Sequence, residues 1–168
     1  MYRYKKAAPD ATFGFYTGVN LGNFDLSLGA RAMVGNYVYN NNLASQGVYD
    51  FVYNSSGGGD GYLNNVDSQT EALDINTPRY FSDHYVQDGS FLRIDHITAG
   101  YDFGNIGSAI SSFRLSITAQ NPLLITGYDG IDPEIASRDV TTNSVGFGID
   151  NNIYPRSRTF FLGLNVKF

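Results

Sequence analysis

Apolar and polar residues alternate one for one along five stretches of this chain, and a β-strand shows successive side chains to opposite faces. Residues 160, 162, 164, 166 and 168 near the end of the chain are Phe160, Leu162, Leu164, Val166 and Phe168, whereas Phe161, Gly163, Asn165 and Lys167 fall between them. The same parity runs through Phe13, Phe15, Val19 and Leu21, and through Phe24, Leu26, Leu28, Ala30, Ala32 and Val34. It recurs in Ile97, Ala99, Tyr101 and Phe103, and in Phe113, Leu115, Ile117 and Ala119. The pattern predicts strands over about residues 12–21, 24–39, 90–103, 113–121 and 156–168, with Pro122 ending the fourth. Leu92 and Ile94 sit on the opposite parity to Ile97, so either a bulge is expected near Asp95 and His96 or the segment before them extends beyond a membrane. No stretch has a convincing helical period.

The connections divide into two kinds. Gly22-Asn23 is a hairpin turn, both residues tolerating positive φ, and residues 104–112 form a short turn of small residues. Residues 40–89 and 123–155 are long polar connections. Both short turns fall on one side of the sheet and both long loops on the other. A predicted strand over 24–39 exceeds the usual soluble length of about 5–6 residues. Transmembrane barrels combine tilted alternating strands, short turns on one side and long loops on the other. Phe24, Tyr101, Phe103, Phe113 and Phe168 gather near the short turns, and Phe13, Phe15, Phe91 and Phe160 near the long loops. Two such bands are what two membrane interfaces select.

Composition narrows the choice. Of 168 residues, 15% are aromatic and only 16% charged, against about 25% charged in an ordinary soluble domain. No apolar run approaches the ~18 residues of a membrane-crossing helix. The net charge of -5 argues against nucleic acid, which requires a basic footprint. The chain has no cysteine, hence neither a disulfide framework nor a thiolate metal site. Its first ten residues include Arg3, Lys5 and Lys6 but no apolar segment after them, so an export signal is expected further upstream if the chain is exported. The alternation also fits a soluble all-β carbohydrate-binding module, in which the apolar faces pack on each other. A stand-alone small barrel requires about eight strands, more than the pattern supplies.

Three groups of segments carry a family likeness. The first joins Asp10-Ala-Thr-Phe-Gly-Phe15 to Asn23-Phe-Asp-Leu-Ser-Leu28, and the second is Gly89-Ser-Phe-Leu-Arg-Ile-Asp-His-Ile-Thr-Ala-Gly-Tyr101. The third combines Phe113-Arg-Leu-Ser-Ile-Thr-Ala-Gln-Asn-Pro122, Gly127-Tyr-Asp-Gly-Ile-Asp-Pro-Glu134 and Tyr154-Pro-Arg-Ser-Arg-Thr-Phe160. In order and spacing the chain resembles the C-terminal segment of SusC/RagA-type TonB-dependent outer-membrane transporters. The resemblance implies an antiparallel transmembrane β-barrel of 22 strands, with residues 1–168 supplying the last five. It implies a plug domain within the same barrel, a SusD-like lipoprotein lid, energy from the TonB complex and a bacterial outer-membrane location in contact with lipid. The terminal pattern of Leu164, Val166 and Phe168 is then an assembly signal for the barrel-assembly machinery.

Candidate chemistry is sparse, and no enzyme is expected. His84 and His96 are the only histidines, without the partners of a catalytic or metal constellation. The Gly57-Gly-Gly-Asp-Gly61 run lacks the Lys and helix of a phosphate loop and reads as a loop tip. Asn54-Ser55-Ser56 matches a glycosylation sequon that carries little meaning in a bacterial chain. Asp129, Asp132 and Glu134 are spaced for a hard cation but fit turn punctuation better, so neither metal nor cofactor is expected. Tyr37, Tyr39, Asp60, Tyr128, Asp129 and Asp132 are candidate contacts to ligand or lid. Aromatic girdle and loop packing explain the tyrosines equally well.

Overall fold

A computed structural model describes residues 4–46, 48, 79–80, 82–138, 145–151 and 153–168. The chain divides into two compact units. One is a five-stranded antiparallel sheet, in the order β1-β2-β5-β6-β10. Its strands are β1 (Ala11–Leu21), β2 (Phe24–Val34), β5 (Phe91–Ile106), β6 (Ile110–Thr126) and β10 (Thr159–Lys167). The other unit is built from the connecting segments and holds β3 (Tyr37–Asn40), β4 (Val86–Asp88), β7 (Ala136–Arg138), β8 (Val145–Phe147) and β9 (Ile149–Asp150).

Alternation and register agree across the whole sheet. Val19, Leu26, Ala99, Ile117 and Leu162 are opposite one another in one row, and Thr17, Leu28, Ile97, Ala119 and Phe160 in another. Between these apolar rows lies Gly18, Ser27, Thr98, Thr118 and Phe161. A one-residue slip in any strand would reverse its faces, so the five patterns specify one register together. Leu21 pairs with Phe24 across Gly22-Asn23. Gly22 has φ 61° and Asn23 is not in the positive-φ region, the mark of a type II′ hairpin rather than one with both central residues left-handed. The second short turn is tighter than expected, because β5 runs to Ile106 and β6 starts at Ile110. Beside it the rings of Tyr101 and Phe103 lie 4.7 Å apart and those of Phe103 and Phe113 5.5 Å apart.

The expected 24–39 strand is two strands. Gly35 has φ 81° and ends β2 at Val34. Asn36 then closes a reciprocal pair with Gly89: Gly89 N donates to Asn36 O at 2.8 Å, and Asn36 Nδ2 donates to Gly89 O at 2.9 Å. From there β3 leaves the sheet to pair with β4 antiparallel and β9 parallel. Pro122, expected to end the fourth strand, lies inside β6. The chain absorbs it in a bulge: Gln120 pairs with His96 and Leu123 with Ile94, leaving Asn121 and Pro122 opposite Asp95. Pairing with β10 stops at Gln120, so the missing N–H of Pro122 falls where no ladder bond to β10 is needed. The slip at Asp95 returns Leu92 and Ile94 to the apolar face, beside Ala32 and Ala30.

The second unit has a core of Val38, Tyr128 and Ile135, with Ile153 packed against it. It also contains elements the sequence pattern did not announce. The helix α1 spans Asn41–Gln46, and a single 3-10 turn covers Asp83–Tyr85. Helix α1 is started by a local cap, Leu43 N donating to Asn40 Oδ1 at 2.9 Å, and is too short to show a periodic face. No helix among the described residues is long and apolar enough to cross a membrane, which says nothing of crossing by strands.

Candidate functional site

The two faces of the five-stranded sheet differ in chemistry. The apolar face is exposed: Ile117 is 55% accessible, Phe160 and Leu162 each 70%. Leu164, Val166 and Phe168 are exposed as well, with Leu164 paired to Leu115 and Val166 to Phe113. Phe168 lies just past the last paired residue, Lys167.

The opposite face carries ion pairs and hydrogen bonds that cross strands. Arg114 Nη2 donates to Asp25 Oδ2 at 2.7 Å and to Oδ1 at 2.9 Å. Asp25 lies on β2 and Arg114 on β6, so their pair spans the strand between them. Gly100 makes that possible: a Cβ there would come within 2.5 Å of both partners. The His96 ring likewise occupies the space a Cβ at Gly29 would need, and reaches toward Tyr16, 5.9 Å between ring centroids. The hydroxyls of Thr98 and Thr118 share a hydrogen bond of 2.9 Å, and Arg31 Nε lies 3.0 Å from Asp95 Oδ1.

The double bulge opens a recess of about 510 Å³ on this face. Its lining includes Asp95, His96, Gln120, Asn121 and Arg156. Asn121 has φ 51°, a left-handed conformation that asparagine tolerates better than most residues. Its side chain joins three segments. Arg93 Nη1 donates to Asn121 Oδ1 at 2.8 Å, and Asn121 Nδ2 donates to the Arg156 carbonyl at 3.1 Å. Two segments quoted for the family likeness, around residues 113–122 and 154–160, are thus tied by one amide. Sequence reading marked the bulge but not the recess, because the recess depends on pairing between segments distant in the chain.

The candidate ligand residues lie elsewhere, in the unit of connecting segments. Tyr128 is 5% exposed. Its hydroxyl donates to Asp150 Oδ2 at 2.7 Å, and Asn42 Nδ2 donates to Asp150 Oδ1 at 3.2 Å. Burial first, and the Asp150 bond second, push the Tyr128 hydroxyl well above its ordinary value of 10. Asp132 is buried, and its Oδ1 accepts the Glu134 N–H at 2.9 Å, a turn held by its own side chain. Asp129 is exposed; its Oδ2 accepts from Gln87 Nε2 and its N–H donates to Gln87 Oε1, both at 3.3 Å. The Tyr37 ring lies 4.5 Å from Lys5 Nζ, which donates to its hydroxyl at 3.3 Å. That bond, more than any other influence, raises the ammonium of the exposed Lys5 above its ordinary value. Tyr39 meets Tyr85 edge to face at 6.2 Å. Tyr128, Asp129 and Asp132 are neighbours in sequence, and the fold gives them different exposures and partners. Asp60 and the loop tip around it lie outside the described residues, as does the sequon at Asn54.

No family model matches the chain. Known proteins do. It is 37% identical over 178 residues to the TonB-dependent receptor SusC of Bacteroides thetaiotaomicron, covering 99% of this chain and 16% of the receptor. It is 31% identical over 174 residues to the TonB-dependent receptor P3 of Formosa agariphila, covering 95% of this chain and 16% of that receptor. Among solved structures, the RagAB peptide importer in its open-open state superposes with a TM-score of 0.71 at 26% identity, over 98% of this chain and 18% of the importer chain. The chain spans 16% of the length of either curated receptor. These relatives are receptors and an importer rather than enzymes.

Proposed function

The chain belongs to the SusC/RagA-type family of TonB-dependent receptors, and we propose that its five-stranded sheet is wall of a closed, 22-stranded outer-membrane barrel that imports bulky nutrients, glycans or peptides. In this reading the apolar face meets lipid and the polar face lines the lumen around a plug carried elsewhere in the same receptor. Residues 1–168 form the C-terminal part of the barrel. β10 is its closing strand, and Leu164, Val166 and Phe168 form the signal read by the barrel-assembly machinery. TonB supplies the energy through the plug, and a SusD-like lipoprotein covers the outer opening. Tyr37, Tyr39, Asp60, Tyr128, Asp129 and Asp132 belong to the outer loops, where ligand and lid are met.

One observation carries the proposal: apolar rows stay in register across all five strands, and no residue in them is buried, with Val19, Leu26, Ile117, Phe160 and Leu162 exposed. A water-soluble module of this size would cover such a face. Spin labels on cysteines introduced at Ile117 and Thr118 of the assembled receptor test it. Oxygen, which partitions into lipid, should relax the label at 117 more strongly. A water-soluble nickel complex should prefer the label at 118. Equal access of both agents to both sites would overturn the wall assignment.

A further inference from the structure

The register of β10 on β6 is the least determined in the sheet by the apolar pattern. Tight turns fix β1 on β2 and β5 on β6, but residues 127–158 lie between β6 and β10. A slip of two residues leaves Phe160, Leu162, Leu164, Val166 and Phe168 on the same face. The Ser116 hydroxyl fills the space above Gly163, and Ser111 Oγ donates to the Lys167 carbonyl at 3.1 Å. Both are hydroxyls that rotate, and they select weakly. Asn121 is held more firmly. Its φ of 51° aims the side chain, and Arg93, 1% exposed, donates to Oδ1 at 2.8 Å. The oxygen being taken, Nδ2 faces the entrance to β10, where it donates to the Arg156 carbonyl at 3.1 Å and more distantly to that of Ser157 at 3.5 Å. An amide turned over would set N–H against guanidinium and oxygen against carbonyls. Two successive carbonyls turned to one donor are not found in a regular strand, where they alternate between its edges. Residues 156 and 157, just after Pro155, lie outside β10, which starts at Thr159.

We propose that Asn121 is a positioning residue that sets the register of β10, by gripping the non-strand backbone of Arg156 and Ser157 just ahead of it. The grip distinguishes one start of the strand from the next start of the same parity, which the apolar pattern does not. Arg93 acts through Asn121 by holding the amide in the productive orientation. On the reading of β10 as closing strand, the same grip fixes where Phe168 ends and how the seam of the barrel aligns. A slip of two residues would carry that end about 7 Å along the strand.

The test uses the full receptor, otherwise free of cysteine, refolded in detergent. Leu115→Cys with Leu164→Cys reports the present register, in which these residues are partners. Leu115→Cys with Leu162→Cys reports a slip of two. Direct cross-strand partners have Cβ atoms about 4.5–5.5 Å apart and diagonal ones about 7–8 Å, so a disulfide favours the direct pair. Asn121→Gly keeps the left-handed backbone and removes the amide, which separates the grip from backbone strain. It should lower the 115–164 bridge about twofold or more, the size of one lost hydrogen bond. A Gly-Ser insertion between Ser157 and Arg158 keeps the grip but shifts the strand by one period, faces unchanged. The bridge should then move from 164 to 162, and return to 164 when Asn121→Gly is added. An undiminished 115–164 bridge in Asn121→Gly, or a bridge that stays at 164 after the insertion, overturns the proposal. Because the bridge joins two strands of one sheet, it decides the register whether or not β10 closes a barrel, and the spin labels decide the wall separately.

Discussion

The two units of this chain are organised for different surroundings. In the unit of connecting segments, Val38, Ala44, Val48, Tyr85, Tyr128 and Ile135 are buried, as in any small soluble domain. In the five-stranded sheet most apolar side chains are exposed or half-exposed, and the residues below a tenth exposed are Gly29, Phe91, Arg93 and Gly100. One unit hides its hydrophobic residues and spends its polar groups on internal bonds, such as Tyr128 to Asp150. The other displays hydrophobic residues and ties charges together on the opposite face, Asp25 to Arg114 and Arg31 to Asp95. The rule that apolar groups leave water holds in both, provided that the sheet has lipid to meet.

The largest expected effect removes that lipid. Expressed alone in the cytoplasm, the chain should aggregate, because its sheet has an exposed apolar face and two open edges. A monodisperse, detergent-free monomer on size exclusion would show that the sheet is not a membrane wall. Within the assembled receptor, the contrast between faces should be read as energy. Ile117→Arg should cost about 2–4 kcal/mol if it faces lipid near the bilayer centre. Ser116→Arg, on the polar face, should cost much less, and equal losses in a folding titration would contradict the assignment. Ile117 is a sharper probe than Leu115, which lies in the row of Phe24 and Tyr101 nearer the short turns.

Next comes the buried network of the other unit. Tyr128→Phe leaves Asp150 without its hydroxyl donor and should cost about 1–3 kcal/mol there. Faster hydrogen exchange in β3 and β9, with the sheet unchanged, is the expected signature. Because the folded unit holds Tyr128 neutral, its contribution is whole below pH 10 and is lost as pH rises beyond that value. A protection factor in β9, the exchange rate corrected for its intrinsic base catalysis, that ignores pH between 9 and 12 would speak against this. The smallest effect should come from Asp25→Asn. The pair is partly exposed and screened by solvent, so its loss should change stability little. Gly100→Ala should cost more than Asp25→Asn, because the added methyl displaces both partners at once. The reverse order would mean that the glycine is not what seats the pair.

What was legible in the sequence was what repeats every second residue. Alternation located the strands of the sheet, and the parity change at Leu92 and Ile94 located the slip at Asp95. Departures arose where distant residues decide. Gly35 turns β3 away to a parallel partner more than a hundred residues along the chain, Tyr39 with Ile149, and nothing near Gly35 announces that partner. Pro122 reads locally as a stop, but becomes acceptable because Asp95 on the neighbouring strand leaves room for a bulge. The candidate contacts Tyr128 and Asp132 were marked by residue type, and residue type does not tell a buried hydroxyl from an exposed one. The ion pair of Asp25 and Arg114 joins residues 89 positions apart, visible only once β2, β5 and β6 are aligned.

The reciprocal bonds between Asn36 and Gly89 have a consequence for the order of folding. The hairpins β1–β2 and β5–β6 need only short loops and can form early. Joining them requires β2 to find β5 across the intervening 35–89 segment, and the entropy lost in closing a loop grows with its length. If the connecting segments condense first, the Asn36–Gly89 clamp brings the end of β2 to the start of β5 and most of that entropy has already been surrendered. A segment that looks like an interruption of the sheet then acts as its splint. Pulse-labelled exchange during refolding into detergent should find β3 and β4 protected before the β2–β5 ladder, and Asn36→Ala should delay that ladder more than it delays either hairpin.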